Sequence, residues 1–143
     1  MPLDEIEIHR GKTLSVGRVD RIYVVSHAKL APSAEDWKKV CDLISSHYDN
    51  ARGLFILTAW PAPNAAQRKA ALAMLPKNVK VPPVAILSEA MIVRGIATAL
   101  NWFLNDAVRA FAPHEIEGLA KHLQITEIQA ANLIAFAEKL VAV

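Results

Sequence analysis

A single cysteine in 143 residues excludes an intrachain disulfide, and neither a CxxC partner nor a neighbouring histidine marks Cys41 as a reactive thiol. Its place in the helical pattern Trp37, Val40, Cys41, Ile44, Tyr48 turns the sulfur toward a core instead. Glycine is scarce, with five in all, and none falls in a GxxxxGK[ST] or GxGxxG pattern; HExxH is missing too. Phosphate-cradling loops of the usual kinds are therefore excluded, and a nucleotide-dependent enzyme is not expected. No long apolar run exists either. The most apolar stretch, Ala90 to Leu104, carries Arg94, Thr98 and Asn101, too short and too polar to span a bilayer, so no transmembrane segment is expected. The start, MPLDEIEIHR, is acidic and lacks the positive head and apolar stretch of a secretory signal, which makes the cytoplasm the expected location. No sign of charge dominates. Lys and Arg number 16 against 14 Asp and Glu, and Lys38 and Lys39 lie between Asp36 and Asp42, so no nucleic-acid partner is expected.

What is present is apolar content: 53% of the residues, with a mean hydropathy of +0.23, in a chain long enough for one domain with one core. The most informative segment runs from Pro83 to Phe111. An apolar run, Val84 to Leu87, stops at Ser88, a suitable helix N-cap; a helical pattern follows to Leu104, and Ala107 to Phe111 is extended again. This reads as a βαβ crossover, hence a parallel pair of strands within an α/β domain. Upstream, Glu5 to His9, Thr13 to Val16 and Arg21 to His27 read as strands of an N-terminal hairpin or meander. Ser33 with Asp36 reads as a capping box opening a helix toward Tyr48, with Lys38, Lys39, Asp42 and Ser46 on its outer face. Gly53 to Ala59 is a buried-strand signal. A stiff Trp60–Pro61–Ala62–Pro63 connection follows, then Asn64 and Gln67 as caps of an alanine-rich helix ending before Pro76. Pro113 and His114 open a short helix with Ile116, Leu119, Ala120 and Leu123 inward; Thr126 and Gln129 cap a last one, whose inner stripe is Ala130, Leu133, Ile134, Ala137 and Leu140. The expected fold is α/β: a mixed, mostly parallel sheet of about four to six strands with helices on it. Residues 1–125 form the domain, and 126–143 add a C-terminal helix that packs on it or on a second subunit.

Ligands of open α/β sheets bind beyond the carboxyl ends of the parallel strands. Here those ends offer Ser26 and His27, Thr58 and Trp60, Ser88 and Glu89, then Pro113 and His114. The N-caps Asn64 and Ser88 could present free N–H groups to an anion, helped by Arg68 or Arg94. Each has a plainer explanation. His27 and His114 have no third ligand at a metal-binding spacing, Ser88 has no GxSxG elbow around it, and Glu89 suits a first helical turn. Around the Ala90 to Leu104 helix the apolar arc is wider than one sheet face requires. Met91 and Trp102 lie together at its margin, facing either a partner or a neighbouring helix.

In its order of elements the chain resembles the STAS family, the domain of sporulation anti-sigma-factor antagonists, and especially its bacterial single-domain branch. The likeness runs from Ile6 to Leu123. It is carried by APSAEDWKKVCDLISSHYDNARGLFIL as helix and buried strand, and by VAILSEAMIVRGIATALNWFLNDAVRAFAPHEIEGLAKHL as strand, helix, strand, helix. The family's switch is a serine opening the helix after the central strand, in a context such as DSSG. The matching stretch here, TAWPAPNAAQ, has Asn64 or Ala65 near that position and no serine, so phosphorylation there is not carried over. The resemblance implies a non-catalytic interaction or regulatory module with a protein partner or a second copy, a homodimer being expected. The alternative is a small-molecule or lipid site at the carboxyl end of the sheet. Binding residues on either reading are Thr58, Trp60, Asn64, Arg68, Ser88, Met91, Arg94 and Trp102; no catalytic residue, metal or cofactor is expected.

Overall fold

Valine and isoleucine dominate the first strands, and β-branched side chains suit a pleated, half-buried surface. In the computed structural model, which describes residues 5–28, 33–47, 51–58, 66, 69, 82–88 and 107–141, they form β1 (Glu5–Arg10), β2 (Leu14–Val19) and β3 (Ile22–His27), an antiparallel meander. β2 outruns the Thr13 to Val16 expected from sequence, because Asp20 and Arg21 close a two-residue hairpin directly onto the Val19–Ile22 pair. Asp20 takes φ 55°, a left-handed conformation that aspartate tolerates. In β1 the register shifts between Glu7 and His9, so the edge strand carries a bulge together with Glu5, Glu7 and Arg10, features that discourage edge-to-edge pairing.

From β3 onward the strands are parallel and adjacent in chain order: β3, β4 (Gly53–Leu57), β5 (Val84–Leu87) and β6 (Val108–Phe111). The six-stranded sheet is therefore mixed, and the two strands of the expected crossover are parallel neighbours. Helix α1 (Ala34–His47) links β3 to β4 and lies over one face, where Val40 and Ile44 meet Leu14, Val16, Tyr23 and Val25. Its outer face is solvated, with Lys38 Nζ 2.7 Å from Asp42. Of the connecting helix expected from Asn64 to before Pro76, Ala66 and Lys69 are described, both helical and exposed; the rest of it and the helix expected over 90–104 lie outside the described residues.

The opposite face is covered by α2 (Ile116–Leu123) and α3 (Glu127–Val141). Helix α2 starts at Ile116, with Pro113 and His114 in a turn before it rather than within it; that turn is closed by the Ala112 N–H on the Glu115 carboxylate at 2.8 Å. Between the helices, Gln124 takes a left-handed φ of 59° while the N–H groups of Gln124 and Ile125 donate to the Lys121 and Ala120 carbonyls, a Schellman end. Thr126 and Gln129 then cap α3 reciprocally, at 2.9 and 3.1 Å, as the sequence indicates. Of the α3 stripe, Ala130, Leu133, Ala137 and Leu140 are buried against the sheet, Ile134 is partly so, and Phe136 joins them. Among the described residues no helix is long and apolar enough to cross a membrane.

Two contacts fix α3. Gly17 of β2 has no side chain where a Cβ would stand 2.6 Å from the Phe136 ring, and the Ser26 hydroxyl donates to the Ala137 carbonyl at 2.7 Å in the core. Gly17→Ala is expected to destabilise the chain by roughly 1–3 kcal/mol through overpacking, and Phe136→Ala by roughly 3–5 kcal/mol through the cavity it leaves. Because both act on one contact, urea unfolding of the double variant should show less than the summed loss; strict additivity would place the strain elsewhere.

Candidate functional site

Alternation along a strand and the register between strands together decide which side chains meet at the sheet's carboxyl end. Ser26 pairs with Leu57, Leu57 with Leu87, and Leu87 with Phe111, so the next residues, His27, Thr58, Ser88 and Ala112, form a row across β3 to β6. The ladder extends into that row: the Thr58 N–H donates to the Leu87 carbonyl at 3.1 Å, and the Ser88 N–H to the Phe111 carbonyl at 3.0 Å. Val25, Ile56 and Ile86 face the α1 side, and the row lies two residues further on, on the same side. Every member is buried, with His27 9% exposed, Thr58 5% and Ser88 2%. The polar groups at the strand ends are thus set into the α1 side of the sheet rather than standing free at its rim.

Of the two residues ending β3, only His27 joins this row. Ser26 points to the other face and is taken by α3. The His27 imidazole meets the Trp37 ring of α1 edge-on, with centroids 6.4 Å apart and planes at 65°. Its Nδ1 is buried without a hydrogen-bond partner among the described residues, as is Trp37 Nε1. Burial alone pushes the imidazole down from 6.5 to about 4, so it is neutral at pH 7. Thr58 and Ser88 are both engaged in further interactions of their own.

The two histidines offered by the strand ends, His27 and His114, are not brought together. His114 is exposed in the turn after β6, three strands from β3, a lateral separation of about 14 Å. Of the other expected binding residues, Trp60, Asn64, Arg68, Met91, Arg94 and Trp102 lie outside the described residues, as does Glu89. Among the described residues no group of three or more His, Cys, Asp or Glu is placed to hold a metal ion. Cys41 is half-buried, and burial, followed by the Asp42 charge, raises its thiol pKa, consistent with packing rather than reactivity.

Sequence reasoning missed the role of Asp36. Its carboxylate does not reach back to Ser33 as a capping box would. It accepts from the Thr13 hydroxyl at 2.6 Å, the Thr13 N–H at 2.8 Å and the Leu14 N–H at 3.3 Å, with His9 Nε2 at 3.8 Å. Ser33 still caps the helix, its hydroxyl accepting from the Asp36 N–H at 3.1 Å, while its own N–H donates to the Thr13 hydroxyl. Burial raises the Asp36 carboxyl, and the hydrogen bonds from Thr13 and Leu14, with His9 nearby, outweigh it and leave the group below its ordinary value. The one signal in sequence is Gly11, since a Cβ there would stand 2.5 Å from the Asp36 carboxylate. Set against known protein families, characterised proteins and solved structures, the chain matches none.

A histidine held neutral makes folding depend on pH with a definite sign. The unfolded chain takes up a proton near 6.5 and the folded chain only near 4, so stability is full above about 6.5 and falls as pH drops toward 4, by roughly 3 kcal/mol at the limit. Urea unfolding between pH 7 and 4.5 should show this loss, and His27→Leu should flatten it relative to wild type. A parallel decline in both chains would assign the acid sensitivity to other groups.

Proposed function

We propose that this chain is a STAS-like interaction module that acts by binding a protein partner or a second copy, without catalysis and without the phosphorylatable serine of that family. The observation that carries the reading is the sheet itself. Four parallel strands follow one another in chain order after an antiparallel meander, and the ends of the two central ones, Thr58 and Ser88, sit side by side. Each leads toward the stretches to which the resemblance assigns partner contact, the Trp60 to Arg68 loop and helix start and the helix from Ser88. The chemistry at the strand ends agrees with holding rather than with proton transfer: the row consists of hydroxyls and a neutral imidazole, and His114 stands about 14 Å away. The face opposite α1 is occupied by the chain's own α2 and α3, which directs recognition toward the strand ends and the helix surfaces beside them.

In this reading Trp60, between Ala59 and Pro61 in the sequence just after β4, is the anchor, and Asn64, Arg68, Met91, Arg94 and Trp102 are the further binding residues that the resemblance implies. Trp60→Ala should lose at least about tenfold in affinity for the partner, since a buried aromatic anchor commonly contributes more than 1.4 kcal/mol, while its thermal unfolding stays within a few degrees of wild type. The partner is first isolated with the wild-type chain as bait, then its affinity for both chains is measured by calorimetry. An unchanged affinity would remove this surface from the account.

A further inference from the structure

His27 Nδ1 and Trp37 Nε1 are a feature that the described residues leave unexplained. His27 ends β3 on the α1 side and is 9% exposed; Trp37 stands in the first turn of α1 with its ring against the imidazole. Both His27 Nδ1 and Trp37 Nε1 are buried, and neither has a hydrogen-bond partner among the described residues. A buried polar atom left bare costs roughly 1–3 kcal/mol, and native proteins satisfy nearly all of them. Two such atoms on touching rings, at the carboxyl end of a parallel strand where α/β sheets take their ligands, point to a group that binds there.

The chemistry of that group follows from the donors and charges around it. Trp37 Nε1 can only donate, so the guest must offer an acceptor oxygen. The imidazole carries no charge to attract an anion, and the Asp36 carboxylate, one residue before Trp37, disfavours one. The acceptor is therefore uncharged. Neutral His27 serves either form of it, with Nδ1 donating to a carbonyl in one tautomer and accepting from a hydroxyl in the other. Around the rings lie Leu14, opposite His27 in the ladder, and Val25 and Val40 of the same cluster, with Thr58 the next member of the strand-end row.

We propose that His27 and Trp37 form the subsite for the carbonyl or hydroxyl oxygen of an uncharged, mostly apolar small molecule, bound on the α1 side of the strand ends. This goes beyond partner binding and stands independently of it. Octanamide is the probe, followed by proton–nitrogen correlation spectra of the full chain, with the Trp37 indole signal identified from Trp37→Phe. The Trp37 indole N–H and the His27 ring signals should shift saturably, octanoate at pH 7.5 should bind at least about tenfold more weakly, and His27→Leu and Trp37→Phe should each weaken octanamide by about tenfold, the value of one lost hydrogen bond. Trp37→Phe keeps an aromatic ring and removes the N–H, so it decides the matter if His27→Leu does not fold. Shifts that fail to saturate, equal affinity for octanoate, or equal affinity in Trp37→Phe would overturn the proposal; in the first case the nitrogens are served by ordered water alone.

Discussion

The bare backbone of Gly17 lets the Phe136 ring settle onto β2, and the arrangement of the C-terminal third of the chain depends on that approach. A Cβ at this position would meet the ring at 2.6 Å and the Ile6 carbonyl at 2.9 Å. One strand over, the Ser26 hydroxyl holds the Ala137 carbonyl and fixes α3 lengthwise. With α3 seated, Ala130, Leu133 and Leu140 complete a core with Val24 and Phe55, and α2 is carried against β5 and β6. There His122 Nε2 donates to the Ala107 carbonyl at 2.8 Å and lies 3.1 Å from that of Val84, and Arg52 reaches the Gln124 carbonyl at 2.7 Å. One face of the sheet, and the amino ends of its last strands, are thus taken up by the chain's own helices.

The other face is organised from the corner at Asp36. By gathering the Thr13 and Leu14 groups, this carboxylate sets the first turn of α1 against the start of β2, and the Leu14–His27 pair carries that placement to the end of β3. Trp37, next to Asp36, is brought against His27 as a result. A structural anchor and the candidate site therefore share one helical turn. Loosening Asp36 would move the ring that the strand-end row packs against.

Much of this was legible in sequence where the signal is local. The Val84 to Leu87 and Ala107 to Phe111 runs, the Thr126–Gln129 capping pair and the inward residues of α2 depend on propensity and spacing over a few positions, and they stand as read. Thr58 and Ser88 are legible as strand-end residues, but that they are neighbours depends on which strands pair. What was not legible depends on contacts across long stretches of chain. Asp36 at a capping position looks local, yet its partners are 22 and 23 residues away. Gly17 interrupts a strand for the sake of a ring 119 residues on, and nothing near it in sequence announces this. Ser26 and His27 are adjacent and equally suited to a site; only the knowledge of which face α3 covers separates them.

Helix α3 belongs to the domain's core, its Ala130, Leu133, Phe136, Ala137 and Leu140 packed with Val24 and Phe55. The most direct test of that placement is urea unfolding, followed by circular dichroism, of the chain truncated before Thr126. Loss of the cooperative transition is expected, since Leu133, Phe136 and Leu140 belong to the cluster that includes Val24 and Phe55. A truncated chain that still unfolds cooperatively near the full-length midpoint would contradict it and return the last helix to the role of an assembly element.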